Sequence, residues 1–131
     1  MTRAAALALA VACGSSPLPP PKHVELAASA TADAVDAAIP TDYVTIVDFW
    51  SDACGACKVV EAQTQARLAA EPRVLVRKVD VADGFTPAAK VYEVGALPHW
   101  NVYDRRRRLR YVLVGSDCLK APQLAHSLAA E

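Results

Sequence analysis

Two apolar runs constrain the fold of this chain most. Tyr43-Val44-Thr45-Ile46-Val47-Asp48-Phe49-Trp50 is β-branched and aromatic, of strand length, and too apolar for a strand with one wet face. Val74-Leu75-Val76-Arg77-Lys78-Val79-Asp80-Val81 repeats the strand signal. Between them, Cys54 to Glu71 has helix-forming composition, with Val60, Thr64 and Leu68 four apart, until Pro72 interrupts. Two strands separated by a helix pair in parallel through a right-handed crossover, so the centre of the chain reads as a βαβ unit.

The flanks extend this unit. Ala27 to Ile39 reads as a first helix, with Thr31 as its N-cap, Val35, Ala38 and Ile39 on one face, and Pro40 ending it. Thr86-Pro87 supplies a cap and a proline at the first position of a short helix over 86–94, with Gly95 placed to end it in the left-handed conformation. Trp100–Tyr103 and Leu109–Val114 form a hairpin across Asp104-Arg105-Arg106-Arg107-Arg108, and Leu119–Ala130 forms a closing helix on Leu124 and Leu128. The class is α/β. With 131 residues, 53% of them hydrophobic, the chain fills one core, which excludes global disorder. Fourteen acidic and fourteen basic side chains exclude the broad positive field of a general nucleic-acid binder. The Arg105–Arg108 run is explained sufficiently by a solvated turn, and a monomer is expected.

The N-terminus reads as a processed end. Arg3 is followed by a short alanine-rich apolar stretch over residues 4–12, the build of a secretion signal. Leu9-Ala10-Val11-Ala12-Cys13 resembles the lipobox of bacterial lipoproteins, which makes Cys13 the expected lipid anchor. Residues 13–23 then hold that cysteine and a Gly/Ser/Pro-rich tether, and the folded domain covers 24–131. On this reading the protein is extracytoplasmic and anchored on the periplasmic side of a bacterial membrane. Without the signal it is cytoplasmic.

The chemistry gathers at Cys54-Gly55-Ala56-Cys57, where the first central strand gives way to a helix. Two cysteines three apart on a helix share a face and can close a small disulfide ring. In the first turn, free backbone N–H groups and the positive end of the helix dipole stabilise a thiolate, which makes a nucleophile. Gly55 and Ala56 are small enough to let a partner reach the sulfur. Half of a zinc site is the alternative, but no second Cys-x-x-Cys or His-x-x-x-His completes it; Cys118, His99, His126 and His23 stand singly. Asp48 interrupts an apolar strand, where an uncompensated carboxylate is expensive, so its pKa should be raised.

Taken together, Val47-Asp48-Phe49-Trp50, Cys54-Gly55-Ala56-Cys57-Lys58, Val79-Asp80-Val81 and Tyr92-Glu93-Val94-Gly95-Ala96-Leu97-Pro98 closely resemble the thioredoxin family in order and spacing, over about residues 24 to 131. The resemblance implies a central mixed β-sheet flanked by helices, thiols at a strand-to-helix junction and a cis proline, Pro98, beside them. It makes Asp48 the buried acid that takes the proton of Cys57, and matches Lys78 to the lysine often paired with that acid. It leaves the backbone of Leu97 free to pair with an extended substrate segment. Trp50, Gly55, Ala56, Leu97 and Pro98 are thus the expected client-binding surface, with core packing an equal reading for Trp50 and Trp100. The chain departs from the pattern at Ala53, where tryptophan is usual, and at Ala56 and Ala62, where prolines are usual. These changes bear on redox poise and docking, not on reaction type. His99 reads as a surface histidine and Cys118 as a small packing residue.

The implied function is thiol-disulfide exchange without a cofactor or metal: a membrane-tethered protein-disulfide reductase working through the Cys54/Cys57 dithiol. Its expected partners are disulfide-containing client proteins, the membrane through Cys13, and a transmembrane thiol-reducing electron donor. A disulfide oxidase or isomerase, or a non-catalytic binding or metal-carrier module on the same fold, are the alternatives.

Overall fold

In the computed structural model, residue 14 and residues 16–131 are described. The chain runs β1 (His23–Leu26), α1 (Ala32–Ala37), β2 (Val44–Trp50), α2 (Gly55–Ala69), β3 (Val74–Asp80), α3 (Pro87–Val91), β4 (His99–Tyr103) and β5 (Leu109–Val114). A 3-10 turn (Gly115–Lys120) then leads into α4 (Ala121–Ala129). The five strands form one mixed sheet in the order β1-β3-β2-β4-β5. β1 and β2 lie parallel to β3, as the crossover through α2 requires, and the β4–β5 hairpin is antiparallel to β2. This is the α/β arrangement, a central mixed sheet flanked by helices, that the resemblance implies.

Strand alternation sorts the core into two layers. Val44 and Ile46 of β2, Val74 of β3, Trp100 and Val102 of β4 and Leu113 of β5 face one side, covered by α2 through Val60 and Leu68 and by α4 through Ala121, Ala125 and Leu128. Val47 and Phe49 of β2 and Val79 of β3 face the other, covered by α1 through Val35 and α3 through Ala88 and Ala89. Both faces of β2 are therefore dry, which is why its sequence shows no polar alternation. Each fully buried side chain of the size of Phe49 or Ile46 contributes about 1.5–3 kcal/mol. The buried Arg77 guanidinium donates to the carbonyls of Ala38 (2.7 Å) and Pro21 (2.9 Å), fastening the end of α1 and the entering chain to β3.

Three sequence expectations change. The segment 27–39 is not one helix: α1 spans only Ala32–Ala37, capped by Thr31 as expected, and the unexpected β1 precedes it. Gly95 does not end α3. Glu93, at φ 54°, takes the left-handed position, and the N–H groups of Val94 and Glu93 close back on the carbonyls of Ala89 (2.9 Å) and Lys90 (3.3 Å), a Schellman closure. The closing helix starts later than Leu119, because Gly115–Lys120 forms the 3-10 turn and Pro122 stands in the first turn of α4.

Candidate functional site

β2 delivers the site at its C-terminal end. Ser51–Ala53 turns the chain, Cys54 is the N-cap of α2, and Cys57 lies in its first turn. The two cysteines are joined as a disulfide with Cα atoms 5.3 Å apart, and the backbone N–H of Cys57 donates to Cys54 Sγ at 3.1 Å. The sulfur thus sits where the free N–H groups of the helix converge, the geometry that favours a thiolate once the bond is reduced. The two sulfurs are unequal: Cys54 is part-exposed between exposed neighbours Ala53, Gly55 and Ala56, whereas Cys57 is buried at 5% exposure. With alanine at position 62, α2 keeps all its backbone donors and runs unbroken to Ala69.

Beneath α2, one row of side chains crosses the sheet on a single face. Lys78 of β3, Asp48 of β2 and Trp100 of β4 are register neighbours, and all three are buried. Burial holds the proton of Asp48 up to about 7, against 3.8 for the ordinary group. The Trp100 indole and the Lys78 charge temper that rise, and the Glu61 charge adds to it. The tempering by Trp100 comes from proximity, since neither its Nε1 nor Asp48 Oδ1 makes a hydrogen bond of full geometry. A carboxyl poised between its two protonation states near neutral pH can accept and return a proton.

Lys78 does not pair with Asp48. Its Nζ lies 3.0 and 3.1 Å from the two carboxylate oxygens of Glu61 and 4.3 Å from the centre of the Trp50 ring. Sequence reasoning missed Glu61, although it stands four residues after Cys57 and therefore one turn further along the same face of the helix. Trp50 is accordingly part-exposed beneath a lysine, while Trp100 is core.

The Leu97–Pro98 peptide bond is cis. Pro98 is buried and Leu97 half-buried. The Pro98 carbonyl accepts from Gly115 N–H at 2.9 Å, and the buried Cys118 thiol lies 3.8 Å from the same oxygen and 3.4 Å from the carbonyl of Leu113. Burial, with the charge of Asp48, pushes that thiol up to about 12, so Cys118 is a packing residue and not a nucleophile. His99 is corrected from surface to interior: it packs edge-on against Phe49 and shares a 3.0 Å hydrogen bond with Asn101 Oδ1. Burial lowers its pKa, and it points to the face opposite Asp48. Cys13 lies outside the described residues.

The thioredoxin family profile matches residues 26–126, spanning both cysteines, Asp48 and Pro98. The chain belongs to the thioredoxin family. It is 31% identical over 85 residues to a thioredoxin of Echinococcus granulosus, covering 65% of this chain and 78% of that protein. Its fold is similar to that of a thioredoxin mutant from Halobacterium salinarum, at TM-score 0.67 and 22% identity over 87% of this chain and 96% of the other. Fasciola hepatica thioredoxin superposes at TM-score 0.65 and 24% identity over 78% and 97%. A family match over a Cys-x-x-Cys closed as a disulfide makes the protein a thiol-disulfide oxidoreductase that acts on disulfide-containing client proteins.

The expected place on a bacterial membrane does not stand. The relative and the structural neighbours are thioredoxins from Echinococcus granulosus, Trichomonas vaginalis, Fasciola hepatica and Halobacterium salinarum, none of them a bacterium. Among the described residues no helix is long and apolar enough to cross a membrane. The resemblance at residues 9–13 to a lipobox is a short, alanine-rich match, and it lies outside the described residues.

Proposed function

We propose that the protein is a protein-disulfide reductase in which Cys54 attacks and Cys57 resolves. The observation that carries this reading is the unequal exposure of two sulfurs at one helix N-terminus, with a proton-holding carboxyl buried under the same helix. The Cys54 thiolate attacks a client disulfide and forms a mixed disulfide, expelling one client thiolate. Asp48 takes the proton of Cys57, whose sulfur then attacks Cys54 Sγ. The second client thiolate leaves, and the Cys54–Cys57 disulfide remains. The two electrons given to the client come from the dithiol, so a thiol donor must restore it after each turnover.

Client contact in this reading uses Trp50, Gly55, Ala56, Leu97 and Pro98. Among the described residues the Leu97 backbone makes no hydrogen bond, which leaves it able to pair with an extended client segment. In this reading the folded unit starts with β1 at His23, one residue before the expected boundary at 24, and runs to residue 131, with the Gly/Ser/Pro-rich segment before it acting as a linker. Insulin reduction by the dithiol form tests the assignment. Cys54→Ser should abolish turnover, and Cys57→Ser should accumulate a mixed disulfide with insulin that only added thiol releases. Equal turnover by wild type and both variants would remove these cysteines from the reaction. An equilibrium with glutathione lying strongly toward the oxidising side would overturn the reductase direction.

A further inference from the structure

Asp48 and Lys78 face each other across parallel strands, where neighbouring backbones are about 4.8 Å apart, so a lysine could fold onto the carboxylate. It does not. Its ammonium is held by both oxygens of Glu61 and lies on the Trp50 ring, and that side chain is only 9% exposed. The other cations at this end of the molecule are engaged elsewhere: Lys58 pairs with Asp52, and Lys22 donates to the Glu71 carbonyl. A groove of about 380 Å³ runs along α2 to Asp48 and Trp100, with Lys22, His23 and Glu61 on its walls.

We propose that Glu61 is a positioning residue that clamps the Lys78 ammonium onto Trp50 and away from Asp48, leaving the acid beneath α2 without an ion-pair partner. Removing that clamp changes two charges at once in effect. The repulsion between Glu61 and Asp48 disappears, and Lys78 regains an unneutralised charge one strand away from the carboxylate. Both favour ionised Asp48. The remaining groups around Asp48 do not compensate: Cys118 on the 3-10 turn is held neutral, Cys57 is in the disulfide, Trp100 does not titrate, and Lys22 and His23 lie on the groove wall. This role rests on the reading of Asp48 as the proton acceptor, and it differs from a packing role because it depends on charge and not on shape.

The test is an infrared titration of the protonated carboxyl band of the oxidised full chain, assigned to Asp48 by its loss in Asp48→Asn. Glu61→Gln keeps the shape and should lower the midpoint by about one pH unit. Lys78→Met, which deletes the clamped cation, should raise it, and in the Lys78→Met background the effect of Glu61→Gln should fall to less than half. The pH at which insulin reduction is half-maximal should follow the infrared midpoint. An unmoved midpoint in Glu61→Gln overturns the proposal, as does an undiminished shift in the double variant, which would make Glu61 a direct neighbour and not a clamp. If the infrared midpoints move as expected while Asp48→Asn leaves the rate and its pH profile unchanged, the clamp stands and the acceptor role of Asp48 falls.

Discussion

Replacing Asp48 with asparagine should make the oxidised protein more stable at alkaline pH and remove one component of its pH dependence. The native carboxyl holds its proton up to about 7, and the ordinary group releases it near 3.8. Below about 4 both folded and unfolded states are protonated and the acid costs nothing by ionisation. Between about 4 and 7 the folded state binds the proton and the unfolded state does not, so stability falls as pH rises, and above 7 the loss is complete. The full difference is about 4 kcal/mol at 1.36 kcal/mol per pH unit, of which about 2.5 kcal/mol falls between pH 5 and pH 8. The asparagine amide brings its own unmet hydrogen bonds, worth about 1–3 kcal/mol, but that cost does not vary with pH. The measurement is therefore the slope: urea unfolding of both proteins from pH 5 to pH 8. With an m-value of about 1–3 kcal/mol/M, the wild-type midpoint should drop relative to the variant by about 1–2 M. Parallel curves over this range would show that Asp48 titrates normally, and the proton-acceptor argument would fail with them.

The Cys118 thiol, fully buried and pushed up to about 12, should resist iodoacetamide in the native reduced protein and react on unfolding; mass mapping that finds it labelled as fast as Cys54 would refute its packing role. Asp104 ties the β4–β5 turn by accepting from the N–H groups of Arg106 (2.9 Å) and Arg108 (3.0 Å) and from the Arg108 and Arg110 guanidiniums. Burial alone would raise its pKa, but these donors outweigh it and bring it to about 2. Asp104→Asn should cost about 1–3 kcal/mol at pH 7, a deficit that shrinks as pH falls from about 4 through 2, because the folded carboxylate then gains its proton and the wild type loses its advantage. Denaturant midpoints at pH 7 and pH 2.5 check both parts.

The parts of the fold that were legible in the sequence are those where one physical signal dominates. β2 and β3 are dry on both faces and say so by composition. Thr31 and Thr86 stand at helix starts and do accept from Ala34 and Ala89 N–H. What stayed hidden was set by partners distant in sequence. β1 is four residues on a sheet edge, alternating exposed and half-buried, and its pairing with β3 fifty residues on leaves only the weak alternation of His23-Val24-Glu25-Leu26. His99 looks like a surface residue until its strand is placed between β2 and β5, where its ring meets Phe49. Gly95 looked like the helix stop because glycine tolerates the left-handed region, but a hydrogen-bonded closure fixed the stop two residues earlier, on Glu93.

The candidate site divides along the same line. Cys54, Cys57 and Asp48 are readable because each breaks a local rule: two thiols in a helix start, and a carboxyl in an apolar strand. Lys78 was matched to Asp48 by its place in the chain, and the sheet does bring the two side by side, yet the lysine answers to Glu61 and Trp50. The reason is energetic. A buried ammonium needs a full negative charge, and a carboxyl that keeps its proton to about 7 offers only part of one near neutrality, whereas half-exposed Glu61 reaches the ammonium with both of its oxygens. The same burial that makes Asp48 a usable proton acceptor therefore makes it the weaker partner for Lys78, and the divided loyalty of the lysine keeps the acceptor's proton within reach of neutral pH.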